Sequence, residues 1–193
     1  MTPILRTVWL PERSFIALWL YISKKKFRKI IYIYGKHLPM PTIEDLIKQK
    51  VFRNEQHKTI TSLNYAANLM NRYHDEVLGR FGITGQQYNV LRILRGQYPS
   101  PATVSLIRER MIDKMSDASR IVERLRKIGL AERVTNKKDR RAVDVTITKK
   151  GLDILAELDK CEKELYKPMD KLNDDDARQL NALLQRIYDS LLG

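Results

Sequence analysis

Four cations, Lys137, Lys138, Arg140 and Arg141, crowd into five positions around one carboxylate, Asp139, within the stretch TNKKDRRAVDVTITKKG. Such a cluster is most often a solvated loop, and short Lys/Arg runs also act as targeting tags. The embedded acid and the alternating Val143, Val145 and Ile147 that follow at once argue against a free tail. A second group lies upstream. Ser116, Asp117, Ser119, Arg120, Glu123, Arg124 and Lys127 remain when the apolar residues of their segment are set aside. Ser and Asp side chains can hydrogen-bond base edges, and arginine can read guanine or hold phosphate. Catalytic constellations are missing: there is no nucleophile elbow, phosphate-cradling glycine loop, HExxH or paired-carboxylate arrangement. The consecutive Asp174, Asp175 and Asp176 do not share one helix face and read as a helix start. These features argue against an enzyme. The single cysteine, Cys161, excludes an internal disulfide framework and a zinc site built on paired cysteines, and a reducing cytoplasm fits. His37, His57 and His74 show no metal-ligand spacing, so neither metal nor cofactor is expected.

Helical periodicity positions these groups. Leu63, Ala67, Met70, His74 and Val77 form a stripe over residues 59–78, ended by Gly79 and Gly82. Thr84 with Gln87 three residues on reads as a capping box for a helix burying Val90, Leu91 and Leu94. Ser100-Pro101 reads as the N-cap and first residue of a short helix with Val104, Ile107 and Met111 inward. The next helix begins near Lys114–Asp117 and buries Ala118, Ile121, Val122, Leu125 and Ile128. Gly129 serves as its C-terminal glycine, with Leu130 folding back. The period then drops to two. Leu130–Thr135 and Val143–Ile147 read as strands joined by a hairpin loop over Asn136–Arg141. Thr148 caps a helix from Lys149 to about Tyr166, with Leu152, Leu155, Leu158 and Leu165 apolar and Pro168 at its end. Asn173 with Asp176 opens a last helix, lined on one side by Ala177, Leu180, Leu183, Leu184, Ile187, Tyr188 and Leu191. That apolar face is wide for a terminal helix, and predicts a partner helix, most simply from a second copy.

Two short helices joined by a tight turn and followed by a β-hairpin make a winged helix-turn-helix. The second of these helices enters the major groove. At this point the chain resembles the MarR family of transcriptional regulators, over roughly residues 55–190. The most specific part is SDASRIVERLRKIGLAERVTNKKDRRAVDVTITKKG, residues 116–151. It carries the family's recognition helix, Gly-Leu turn, first wing strand, Asp-Arg-Arg tip and closing Thr-x-x-Gly. The family's proline in that last motif is replaced by Lys149.

The resemblance implies a mainly α fold with a small β-hairpin wing: a winged helix at residues 83–148 and a dimerisation layer from helices at about 55–80 and 149–192. It implies a homodimer on double-stranded DNA at a near-palindromic site, repression as the default, and release by a small effector held between the two layers. Tyr65, Tyr73, Tyr88 and Arg92 are the residues expected at that pocket. Ser116, Asp117, Ser119, Arg120 and Arg124 are expected to face DNA from the helix, and Lys137, Lys138, Asp139, Arg140 and Arg141 from the wing. There the resemblance points to Arg141 as the residue inserted into the minor groove and to Asp139 as its orienting partner. Family members that sense oxidants use a cysteine near the first helix. Cys161 lies elsewhere with no cationic run beside it, and a structural thiol is expected.

The net charge of +13 favours a polyanionic partner, nucleic acid first and an acidic membrane surface second. It is uneven: +7 over residues 1–39, +1 over 40–91, +9 over 92–150 and −4 over 151–193. Two readings stand for residues 1–39. The apolar run Phe15–Ile22 with the lysines after it is too short to span a bilayer but suits a membrane-surface anchor. Alternatively, Leu38-Pro39-Met40-Pro41 marks the true start, with Met40 first and residues 40–193 as the functional domain. A rival to the effector-controlled regulator is a winged-helix architectural or replication DNA-binding protein that needs no effector.

Overall fold

Caps written in the sequence start most of the helices. The structure is a computed structural model that describes residues 40–135 and 143–193. The chain divides into two units, Met1–Lys58 and Thr59–Gly193. In the described part of the first, α1 (Ile43–Ile47) is opened by Thr42, whose N–H and hydroxyl both donate to Asp45 at 2.9 and 3.0 Å. The order continues with α2 (Glu55–Gly79), α3 (Gly85–Gln97), β1 (Ala102–Thr103), α4 (Val104–Arg110) and α5 (Ala118–Lys127). Then come β2 (Ala131–Thr135), β3 (Val143–Ile147), α6 (Lys149–Lys160), α7 (Glu162–Tyr166), a single 3-10 turn and α8 (Asp174–Leu192). This is the mainly α architecture with a small antiparallel sheet that the sequence predicts.

The predicted capping box at Thr84/Gln87 is closed in each direction, and Asn173 and Asp176, read as a helix start, close a second one. Three element boundaries differ from expectation. Thr103, not Ser100, caps α4, its hydroxyl accepting from Leu106 N–H at 3.2 Å. Ala102 and Thr103 are extended instead, because they pair with Val145 and Asp144 and make β1 the third strand, in the order β1-β3-β2. Helix α5 starts only at Ala118, with Asp117 as its N-cap, and residues 113–116 form a separate turn. The long helix after the wing is interrupted at Cys161, which ends α6 and precedes α7.

The core sits where α3, α5 and the sheet meet. Val90, Leu91, Val122, Leu125, Val145, Leu155 and Leu158 are all fully buried there, joined by Ile107, Met111 and Leu130. The predicted stripe of α2 is covered only at its end, where Val77 is buried beside Leu78. No residue of α8 is buried.

One joint fixes the geometry. After α5, Gly129 takes φ +74, a left-handed conformation that glycine adopts without a Cβ penalty. The N–H groups of Gly129 and Leu130 then bond back to the carbonyls of Arg126 and Leu125, closing a Schellman cap. The three carbonyls that follow are taken by the start of α6. Lys150 Nζ donates to Ile128 O at 2.9 Å, the Thr148 hydroxyl to Gly129 O at 2.8 Å and Thr148 N–H to Leu130 O at 3.1 Å. Gly151, in the first turn of α6, packs so closely that a Cβ there would lie 2.5 Å from Leu130 O and 2.7 Å from Ile147 Cγ1. Gly151→Ala should therefore lower the free energy of unfolding by about 1–3 kcal/mol through overpacking. Gly129→Ala, which meets open space but must hold a positive φ, should cost about 1 kcal/mol. Urea denaturation followed by circular dichroism measures both, and an unchanged midpoint for Gly151→Ala would contradict the joint.

Candidate nucleic-acid interface

Helix α5 is built with two sides. Ala118, Ile121, Val122 and Leu125 enter the core, which turns Ser119, Arg120 and Arg124 to solvent. Among the described residues, the Arg120 and Arg124 side chains have no hydrogen-bond or ionic partner. Glu123 is engaged by two other cations, Arg126 at 2.8 Å and Arg133 of β2 at 3.4 Å. The charge left over on the outer face is therefore positive.

The two residues at the start of α5 have structural duties. Asp117 Oδ1 accepts Arg120 N–H at 3.1 Å and so caps the helix. The Ser116 hydroxyl donates to Asp113 and accepts from Gln86 Nε2 at 2.7 Å. Beside them lies a cleft of about 490 Å³, lined by Ser116, Asp117 and Ser119 and also by Val104, Ser105, Arg108, Lys114 and Met115. Sequence reasoning passed over Ser105, Arg108, Lys114 and Met115. A signal was present for Arg108, which lies off the inward stripe of Val104, Ile107 and Met111. The wing residues Lys137, Lys138, Asp139, Arg140 and Arg141 lie outside the described residues, between the strands that carry them.

A second cleft, of about 810 Å³, opens between α2, α3, the turn after α4, α5 and the α6–α7 pair. Its walls include His74, Asp75, Tyr88, Asn89, Arg92, Ile112, Asp113, Arg124, Glu162 and Tyr166. Arg92 donates to the Tyr88 hydroxyl at 2.9 Å and lies 5.7 Å over the Tyr88 ring, contacts that favour its charged form. Of the four residues expected at a pocket, Tyr88 and Arg92 line this cleft. Tyr65 and Tyr73 do not. The Tyr73 hydroxyl instead donates to Glu164 O at 2.9 Å, and with Arg80 bonded to the Glu164 carboxylate it fastens α2 to α7. Arg80 holds the Glu164 carboxyl below its ordinary pKa.

Residues 83–151 match the family model described as a winged helix DNA-binding domain. The segment runs from the start of α3 to the Gly151 joint, and takes in both sides of α5 and the hairpin. The HTH-type transcriptional regulator MgrA of Staphylococcus aureus is 27% identical over 127 residues, which cover 65% of this chain and 84% of that protein. A MarR transcription factor from Planctomyces limnophilus is 26% identical, with a TM-score of 0.54 over 70% of this chain and 98% of its own. The chain carries a winged helix DNA-binding domain and is similar to transcriptional regulators of the MarR type. An E. coli MarR variant crystallised with operator DNA shares this fold, with a TM-score of 0.62 at 23% identity, covering 72% of this chain and 99% of that one.

The ion pairs of α5 give the chain a measurable acid signature. Arg126, by direct hydrogen bonding and then by charge, holds the Glu123 carboxyl at about 2 against an ordinary 4.5, with Arg133 adding to it. A depressed folded-state pKa contributes stability that is complete above pH 4.5 and fades as pH falls toward 2. NMR titration of the Glu123 side chain should show it ionised through the range where ordinary glutamates protonate. In Arg126→Ala its midpoint should move up toward 4.5. An ordinary midpoint in the wild type would mean that the pairing does not persist in solution.

Proposed function

We propose that the regulator works as a homodimer that binds a near-palindromic operator, represses from it, and lets go when a small molecule occupies the 810 Å³ cleft. One observation carries the reading: α5 presents Ser119, Arg120 and Arg124 outward from a helix whose other side is locked into the core. A polar, cationic face on a rigid helix is the element that enters a major groove. The segment at residues 83–148 is the DNA-binding part in this reading, and the helices at about 55–80 and 149–192 form the dimer layer. Support for the dimer comes from α8, where Leu183, Tyr188 and Leu191 are exposed and no residue of the helix is buried. With a two-fold pair, the half-sites lie about 34 Å apart. In the wing, Lys137, Lys138 and Arg140 serve phosphates, while Asp139 orients Arg141 toward the minor groove, whose negative potential attracts arginine.

The effector part rests on a shared wall. Met111, Ile112 and Asp113 line the larger cleft, and Lys114 to Asp117 line the DNA-facing one. Gln86, in the wall of the larger cleft, bonds Ser116 across the turn. A molecule that displaces this turn shifts the start of α5.

The test uses the full chain and a duplex selected from a random pool. Lys138→Ala should weaken binding modestly and lower the salt slope by about 1, as expected for one lost phosphate contact. Arg141→Ala should cost about 1–3 kcal/mol on the selected duplex and less on an unrelated one. Asp139→Ala should also weaken binding, although it removes a negative charge near DNA. Tighter specific binding by Asp139→Ala would refute the orienting role, and equal affinity for unrelated duplexes would favour an architectural protein.

A further inference from the structure

Met115 is an apolar side chain in a polar place. It is 94% exposed and lines the 490 Å³ cleft between Lys114 and Ser116, opposite Ser105 and Arg108. The turn that carries it is firmly held. Asp113 Oδ1 accepts Met115 N–H at 3.0 Å, Asp113 O accepts Ser116 N–H at 3.3 Å, and the Ser116 hydroxyl donates to the same carboxylate. Gln86 fastens Ser116 from α3, and Asp117 caps α5 immediately afterwards. The backbone on both sides of Met115 is thus fixed, while its side chain points away from the core at the leading end of α5.

The neighbouring groups at this end, Lys114, Ser116, Asp117 and Ser119, are all polar or charged. In the orientation proposed above, Lys114 and Ser119 face phosphates and base edges, while Ser116 and Asp117 are engaged within the fold. A thioether chain has no strong hydrogen bond to give, but it is unbranched, polarizable and adapts to irregular apolar surfaces. The apolar feature that a major groove offers is the thymine 5-methyl group.

We infer that Met115 is a specificity-determining residue that packs on a thymine 5-methyl group in each half-site. The inference rests on the DNA-binding orientation proposed above. Covering one methyl group gains about fourfold in affinity. At this position the regulator selects thymine by apolar burial, whereas Ser119, Arg120 and Arg124 act through hydrogen bonds and charge.

The experiment takes the full chain and the duplex it selects from a random pool, and replaces each thymine of one half-site in turn by deoxyuridine, which removes only the methyl group. The wild type should lose about fourfold in affinity at one position. Met115→Ala and Met115→Gln should bind the unmodified duplex several-fold more weakly and show no further loss with uracil at that position. Because Met115 is exposed, both variants should unfold at the wild-type temperature, which separates a lost contact from a lost fold. If both variants keep the wild-type response to uracil, or if no thymine methyl matters to the wild type, the inference is wrong. A pool that yields no preferred sequence would overturn the operator-binding reading together with this one.

Discussion

The joint between the end of α5 and the start of α6 is the constraint on which the rest of the molecule depends. The last carbonyls of a helix have no partner within it and must find one elsewhere. Here Gly129 and Leu130 N–H take those of Arg126 and Leu125, and the next three carbonyls, of Ile128, Gly129 and Leu130, accept from Lys150 and Thr148. The absence of a side chain at Gly151 lets α6 sit against the Leu130 carbonyl. Helix α5 is thereby locked to α6, which leads away from the winged unit. Both wing strands leave from the same place, because Ala131 pairs with Ile147 beside the joint. The exposed face of α5, the base of the wing and α6 hold one geometry.

That rigidity gives the two clefts their meaning. The smaller cleft and the larger one meet at the turn from Ile112 to Asp117, a short segment held by Asp113, Gln86 and the α5 cap rather than by core packing. Ile112 is 87% exposed and Met115 94%, so this turn contributes little to the core. Its hydrogen bonds link α3 to the start of α5. In the proposed mechanism, a ligand acts on that link and leaves the joint at Gly151 intact. Helix α8 has a closed capping box and no buried residue, a combination that makes sense when a second copy covers its apolar side.

Much of this was readable from residue order, because local rules decided it. Thr84/Gln87 and Asn173/Asp176 are capping pairs that work wherever they occur, and Gly129 and Thr148 mark helix ends by their own stereochemistry. The misplaced boundaries are those that tertiary pairing decided. Ser100-Pro101 has the local chemistry of a helix start, but the edge of β3 claimed Ala102 and Thr103 and moved the cap. The start of α5 shifted to Ala118 because the Asp113 turn took the preceding residues. At the site, the outward face of α5 followed from its apolar period. The bond of Ser116 to Gln86 did not, since the two lie thirty residues apart. Tyr65 and Tyr73 were named for a pocket by residue type, and type alone cannot tell which side of α2 faces the cleft.

Association state tests the central claim most directly, since a lone winged helix and a paired one differ in mass before any DNA sequence is known. Sedimentation equilibrium of the full chain at micromolar concentration, alone and with its selected duplex, reads it out. The account predicts twice the 22.7 kDa chain mass in the absence of DNA and two chains per duplex in the complex. A 22.7 kDa species that binds one chain per duplex would contradict it.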